Sequence, residues 1–265
     1  MWFGPDNFVL TAAQALCVAL PAAGLPAALA RLRSRGWALV LPLSIAVVVA
    51  AINVLPRTAD VLAWTALVLV PVGCALALGW AMRGARAWLA PLAAVLLAVA
   101  WADQDGRPGR LAATALIVGS CVTLGRLLAG AAPASLLKVG LGAMAIVDAV
   151  LVFGEELQGP NAVLVAAEPG PGLPRLQSAS FGDAGMGYGD FFAAAVLGGL
   201  LALEGRRQAL AAVALLVVSL AWDQLFLIYD VLPATVPPAI VLLAGEALRR
   251  LRGTPRRPTP AARGG

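Results

Sequence analysis

The sequence predicts an all-α membrane protein with nine transmembrane helices. Of its 265 residues, 61% are hydrophobic and 12% are charged, whereas soluble domains carry about 25% charged residues. Each spanning helix uses about 20 apolar residues, so nine helices account for roughly 180 positions. The chain length therefore suits a single membrane domain over residues 1–252, with no room for a sizeable soluble domain.

Nine apolar runs, bounded by charged residues or by proline and glycine, predict the helices in order. The first six are 7–30 (before Arg31), 37–55 (before Pro56), 60–82 (before Arg83), 87–102 (before Asp103), 110–131 (before Pro133) and 134–154 (before Glu155). The last three are 188–204 (before Gly205), 208–229 (before Asp230) and 234–251 (before Arg252). The fourth and seventh runs are short, and the first contains two prolines.

Two segments lie outside the predicted helices. The connection at 155–187 is long and rich in glycine and proline, and loops of this length are usually functional or disordered. Within it, 161–167 is apolar enough for a short surface helix or a strand. The final segment, 253–265, is rich in proline, arginine and glycine, which predicts a disordered cytoplasmic tail.

Basic residues concentrate in alternate connections and in the tail. Fifteen of the nineteen fall there: Arg31, Arg33, Arg35, Arg83, Arg86, Arg126, Lys138, Arg206, Arg207, Arg249, Arg250, Arg252, Arg256, Arg257 and Arg263. Because basic residues accumulate on the cytoplasmic side, we expect an N-terminus outside and a C-terminus in the cytoplasm. Arginines scattered at the ends of apolar segments indicate membrane topology and argue against a nucleic-acid partner. The expected partner is the lipid bilayer, and the expected location is a prokaryotic cell membrane. Glu204 and Glu246 lie near arginines and are expected to pair with them.

No cofactor or metal is predicted. The chain has no histidine, and its three cysteines, Cys17, Cys74 and Cys121, each lie inside an apolar run. These features argue against a zinc site and against a disulfide framework.

Two aspartates, Asp148 and Asp190, carry the main hypothesis about chemistry, because a charge inside an apolar run costs about 2.5–3.5 kcal/mol on insertion scales. Asp148 lies two-thirds along the sixth predicted helix, in AMAIVDAVLVFG, and Asp190 begins the seventh, in GMGYGDFFAAAVLGG. Two carboxyl groups held about 3 Å apart cannot both ionise. Such a pair can activate water with one carboxylate while the protonated partner polarises a peptide carbonyl.

Other interpretations of these residues remain open. Each aspartate can instead cap a helix or bind a backbone carbonyl, and Gly185 and Gly189 can be a small-residue packing pair. Intramembrane aspartates also serve proton-coupled transporters, although the sequence shows no inverted repeat. Prepilin-type peptidases use a GxGD string too, but near the cytoplasmic face, whereas the charge bias places Asp190 nearer the outer face.

The stretch GYGDFFAAAVLGG resembles the GxGD segment of the presenilin and signal peptide peptidase superfamily. In that family the aspartate opens the seventh of nine helices, and AIVDAVLVFGEELQGPNAVLVAAE is similar to its sixth helix and the following segment. The resemblance implies a presenilin-like fold and an intramembrane aspartyl protease with Asp148 and Asp190 as catalytic carboxylates. Gly187, Tyr188 and Gly189 would then belong to the active-site loop.

The third family motif, Pro-Ala-Leu before the ninth helix, is only approximately present in LPATVPPAIVLLAG. Pro233-Ala234-Thr235 is the preferred counterpart because it follows the eighth helix directly, and Pro238-Ala239-Ile240 is the alternative. A further departure is Val147 before Asp148, where the family usually has tyrosine. The role of that tyrosine hydroxyl is therefore absent or supplied elsewhere.

The predicted orientation is that of signal peptide peptidase and the reverse of presenilin. It favours transmembrane protein or peptide substrates with N-in, C-out topology, such as remnant signal peptides. A catalytically silent membrane chaperone of the same fold is a further alternative. The oligomeric state is not readable from the sequence.

Overall fold

The computed structural model describes residues 5–26, 29, 31, 33–55, 57–154, 159, 163, 166, 167, 169–182, 184–229 and 231–252. Nine α-helices lie within these residues: α1 (Pro5–Ala19), α2 (Val40–Val54), α3 (Thr58–Leu76), α4 (Leu92–Ala102), α5 (Arg107–Ala131), α6 (Ala134–Phe153), α7 (Tyr188–Leu203), α8 (Gln208–Trp222) and α9 (Val236–Arg252). The protein is thus mostly helical. The predicted tail at 253–265 lies outside the described residues.

By length and composition, five helical stretches among the described residues can cross a membrane: 35–52, 58–81, 107–131, 134–153 and 208–227. Three further apolar helices are shorter, at 6–19, 87–102 and 188–203. Large apolar side chains point outward along these elements, including Val47, Val61, Val139, Val150 and Val217. Such a surface suits lipid, because soluble monomers rarely expose extensive apolar patches.

The prediction that the first helix extends to residue 30 is wrong, because α1 ends at Ala19. Pro21 has no backbone N–H and cannot continue the helical hydrogen bonds. The chain instead runs beside the π-helical turn Ala77–Ala81 that follows α3, where Ala22 N donates to Ala81 O at 2.9 Å and Arg83 N donates to Leu20 O at 2.8 Å. At 15 residues, α1 measures about 22 Å, less than the roughly 30 Å hydrocarbon core.

A β-hairpin inside the predicted outer loop was not foreseen. Its strands are β1 (Ser178–Phe181) and β2 (Ala184–Gly187), which pair in antiparallel register with Ser178 opposite Gly187. β2 runs directly into α7 without a loop. Most of 161–167, predicted as a surface helix or strand, lies outside the described residues.

α5 and α7 form the centre of the bundle. Most residues of α7 from Phe191 to Leu201 are buried, with α1 on one side and α5 on the other. A Cβ placed on Gly199 would lie 2.7 Å from Gly125 O of α5, and one on Gly198 would lie 2.5 Å from Val18 O of α1. Adjacent glycines therefore let two helices approach the backbone of α7, as small residues do in membrane bundles.

One end of the bundle collects several of the connections predicted to be cytoplasmic, and we call it the arginine-rich end. Ser34 N of the segment before α2 donates to Ala131 O of α5 at 2.9 Å. Arg126 donates to Gly24 O at 2.8 Å, and Arg33 and Leu203 line one cavity. These contacts bring the segment after α1 to the ends of α5 and α7, as alternating helix directions require.

An ion cluster ties α6, α7 and α9 together at the arginine-rich end. Glu246 of α9 accepts from Lys138 of α6 at 3.0 Å, from Arg206 at 2.8 Å and from Arg249 at 2.6 Å. Glu204, which follows α7, pairs with Lys138 and Arg206. The expectation that Glu204 and Glu246 pair with nearby arginines is confirmed, and Lys138 joins both.

Candidate active site

Asp148 lies on α6, four turns from the start of the helix, and only 6% of its surface is exposed. Thr235, itself 1% exposed, donates its hydroxyl to Asp148 Oδ2 at 2.6 Å. A buried carboxyl group requires a hydrogen-bond partner, and this one is provided by a segment 87 residues away in sequence. The fold therefore holds Asp148 by its contact with the start of α9.

Asp190 lies in the first turn of α7 and is half-buried. Its Oδ2 accepts from the backbone N–H of Gly187, the last residue of β2, at 3.0 Å. A carboxylate in the first turn is favoured by the free N–H groups and by the helix dipole. The strand and the helix start thus fix the direction of this carboxyl group.

The fold brings the two aspartates together. α6 and α7 are in contact, and the carboxyl groups are close enough for their charges to interact directly. Capping explains one oxygen of Asp190, but it does not explain Asp148, whose hydrogen bond comes from a different helix. Two neighbouring carboxyl groups are thus the chemical centre of the site.

No family model matches the chain, and no curated protein or solved structure matches it either. Among the described residues, no group of three or more His, Cys, Asp or Glu side chains is placed to hold a metal ion. The site presents two carboxyl groups with the Thr235 hydroxyl and the Gly187 backbone N–H as donors.

The segment Pro233-Ala234-Thr235 borders the carboxyl pair. It lies between the 3₁₀ turn that follows α8 and the start of α9, and Pro233 is buried. The alternative segment, 238–240, lies within the first turns of α9. A hydroxyl therefore does reach Asp148, but it comes from Thr235 and not from the residue before Asp148.

The remaining predicted loop residues have different surroundings. The hydroxyl of Tyr188 lies 2.7 Å from Ser120 Oγ of α5, so it anchors the start of α7 to the central helix. A Cβ on Gly187 would lie 3.4 Å from Asp190 Oδ2, and one on Gly189 would lie 3.9 Å from Met144. Gly185 belongs to β2 with nothing within 4 Å of a Cβ, so a Gly185 and Gly189 packing pair is wrong.

Sequence reasoning missed Gln14, a buried amide of α1 that touches this site. Its side chain donates to Ala234 O at 3.0 Å and to Asp190 O at 3.3 Å. The available signal was a lone amide in the apolar run FVLTAAQALCVAL. Polar side chains inside membrane helices generally face the bundle interior and bind a partner.

Proposed function

We propose that the protein is an intramembrane aspartyl endopeptidase that hydrolyses peptide bonds of transmembrane segments. Asp148 and Asp190 are its two catalytic carboxyl groups. The observation that carries the proposal is the neighbouring position of these two carboxyl groups, on separate helices that are in contact, within an apolar bundle. Asp148 accepts a hydrogen bond from Thr235, and Asp190 accepts one from Gly187.

The chemistry needs only these groups and a water molecule. The ionised carboxylate takes a proton from water as the water oxygen bonds to the scissile carbonyl carbon, while the protonated carboxyl donates to the carbonyl oxygen. The tetrahedral intermediate then breaks its C–N bond: the leaving nitrogen takes the proton gained from water, and one hydroxyl of the intermediate returns a proton to the carboxylate that had donated one. No covalent enzyme intermediate, metal or cofactor enters these steps.

The GxGD segment supports placing the chain near the presenilin and signal peptide peptidase superfamily. So does the position of Asp190 at the start of the seventh of the nine described helices. Under this proposal all nine helices cross the membrane, with Pro233, Ala234 and Thr235 in the place of the Pro-Ala-Leu motif. The short helices α1, α4 and α7 then lie across locally thinned bilayer or are shielded by their neighbours.

The proposed orientation has the N-terminus outside and the C-terminus in the cytoplasm, because the arginine-rich end collects most basic residues. It favours N-in, C-out transmembrane substrates. Reporter fusions after residue 252 test the orientation: a reporter that is active only in the cytoplasm is expected. A reporter active only outside the cell would overturn both the orientation and the substrate class.

The proposed activity is tested with purified protein in detergent and a transmembrane reporter peptide. Asp148→Asn and Asp190→Asn should each reduce cleavage at least about 1,000-fold, because removal of one member of a catalytic unit disables the whole unit. The matched control is Asp223→Asn. Asp223 is also partly buried and accepts from Asn7 of α1 at 2.7 Å, and since its hydrogen bond does not involve the carboxyl pair, this variant should cleave normally.

Three outcomes contradict the proposal. Cleavage by either site variant at the wild-type rate would exclude a two-carboxylate mechanism. Absence of cleavage by the wild type, across substrates of both orientations, would favour a silent membrane chaperone. Proton uptake by wild-type liposomes, lost in Asp148→Asn, would favour a proton-coupled transporter instead.

A further inference from the structure

Gln14 occupies an unusual position for an amide side chain. It lies in the middle of α1, flanked by apolar residues, and only 1% of its surface is exposed. An amide buried in this way is costly unless its donors and acceptor are all used. The contacts of Gln14 therefore show what it is placed to hold.

All three contacts of the Gln14 side chain go to elements of the candidate site or to α8. Its Nε2 donates to Ala234 O at 3.0 Å and to Asp190 O at 3.3 Å. Its Oε1 accepts from Ser219 Oγ of α8 at 3.4 Å. One amide thus joins α1, the first turn of α7, α8 and the segment before α9.

The Ala234 carbonyl lies just before α9 and needs a hydrogen-bond donor from another part of the chain. In a regular helix it would accept from the backbone nitrogen four residues later, but that residue is Pro238, which has no N–H. A buried carbonyl without a partner is unfavourable. Gln14 supplies the missing hydrogen bond, so the sequence around Thr235 leaves its backbone position dependent on α1.

Both acceptors of the Gln14 amide lie in backbone that holds the carboxyl pair. Ala234 precedes Thr235, whose hydroxyl binds Asp148 at 2.6 Å, and the other acceptor is the carbonyl of Asp190 itself. A shift of either backbone segment would change the distance between the two carboxyl groups. Misplacement by about 1 Å can cost an enzyme about 100-fold in rate.

We infer that Gln14 is a positioning residue, which sets the geometry of the Asp148 and Asp190 pair by tying the segment before α9 to the first turn of α7. The inference rests on the proposed endopeptidase function for its catalytic consequence. Its structural part, the hold on Ala234, stands on the contacts alone. Gln14 touches no reacting atom and is not a catalytic residue.

The chain offers a matched control in Gln208. This side chain is also 1% exposed, and its Nε2 donates to Val18 O, Pro21 O and Gly198 O at 3.2, 2.9 and 3.0 Å. It lies at the start of α8, on the side of the arginine-rich end. Gln208→Met therefore removes an equally buried amide from the bundle without touching the carboxyl pair.

The experiment compares wild type, Gln14→Met and Gln208→Met. The first measurement is amide hydrogen exchange of residues 231–236 in detergent. We expect these amides to exchange at least about 10-fold faster in Gln14→Met than in wild type, because loss of a local hydrogen bond favours local opening. Exchange of residues 231–236 in Gln208→Met should match wild type, even if the melting temperature of Gln208→Met falls as far as that of Gln14→Met.

The second measurement is cleavage of the transmembrane reporter peptide. Gln14→Met should lower kcat at least about 10-fold with KM within about twofold, and it should displace the pH profile of kcat, since the pair is rearranged. Gln208→Met should keep the wild-type pH profile. Combining Gln14→Met with Thr235→Ala should give less than the product of the two single losses, because both act on one segment.

Failure of the inference and failure of the proposed function give different results. Unchanged exchange of residues 231–236 in Gln14→Met would overturn the positioning role, whether or not the protein cleaves peptides. Faster exchange in Gln14→Met together with a wild-type kcat would overturn the inference that Gln14 sets the geometry needed for catalysis. Absence of cleavage by the wild type, with faster exchange in Gln14→Met, would overturn the proposed function and the catalytic consequence but leave the structural hold.

Discussion

The hydrogen bond between Thr235 and Asp148 gives a direct prediction about catalysis. Thr235→Val replaces the hydroxyl by a methyl group of similar size, so it removes the donor to Asp148 Oδ2 without opening a cavity. A hydrogen bond to a charged group contributes about 1.5–3 kcal/mol, which corresponds to about 10- to 150-fold in rate. Because both side chains are buried, water cannot readily replace the lost donor. We therefore expect kcat to fall about 10- to 150-fold.

The assay measures kcat and KM for reporter peptide cleavage by wild type, Thr235→Val and Thr235→Ser. Serine keeps the hydroxyl and loses only a methyl group, so Thr235→Ser should retain kcat within about threefold of wild type. Thermal unfolding in the same detergent shows whether the variants are folded. Equal kcat for valine and wild type, or equal damage by serine and valine, would refute the role of this hydroxyl.

Two further predictions concern stability. Gly199→Ala should lower the melting temperature by roughly the equivalent of 1–3 kcal/mol, because its Cβ would meet Gly125 O at 2.7 Å. The control Gly185→Ala places its Cβ in open space and should leave the melting temperature unchanged. Equal melting temperatures for the two variants would contradict the close helix packing. Glu246→Gln should destabilise the fold by about 1–2 kcal/mol, since it loses three cationic partners that are only partly screened. Glu204→Gln, with two partners, should lose less, and the reverse order would contradict the described cluster.

Hydropathy predicted the helices well where charge or glycine marked their ends. The prediction for the sixth helix, 134–154, differs from α6 by one residue, because Pro133 and Gly154 bound it. The first helix was predicted too long because apolar residues continue past Pro21. Composition cannot reveal that these residues pair with the turn that follows α3, as Ala22 does with Ala81.

The carboxyl pair could be predicted because charge in an apolar helix is conspicuous in sequence. The hydrogen-bond contacts around the pair could not be predicted in this way. The contact of Gln14 with Ala234 spans 220 positions, and no local pattern reports which carbonyl a buried amide will meet. The hairpin before α7 was equally hidden, because its strands of four residues each carry mainly small side chains with no clear alternation.

The ion cluster at the arginine-rich end fixes one end of each of α6, α7 and α9 relative to the others. Lys138 and Asp148 lie ten residues apart on α6, which is about 15 Å along a helix; fourteen residues, or about 21 Å, separate Glu204 from Asp190 on α7. A tilt of α6 by about 10° around its tied end would therefore displace the Asp148 carboxyl by about 3 Å, whereas Tyr188 holds the start of α7 against α5. The same tilt barely moves Lys138, because this residue lies at the tied end of α6. The gap between the aspartates can thus widen while the base of the bundle stays closed.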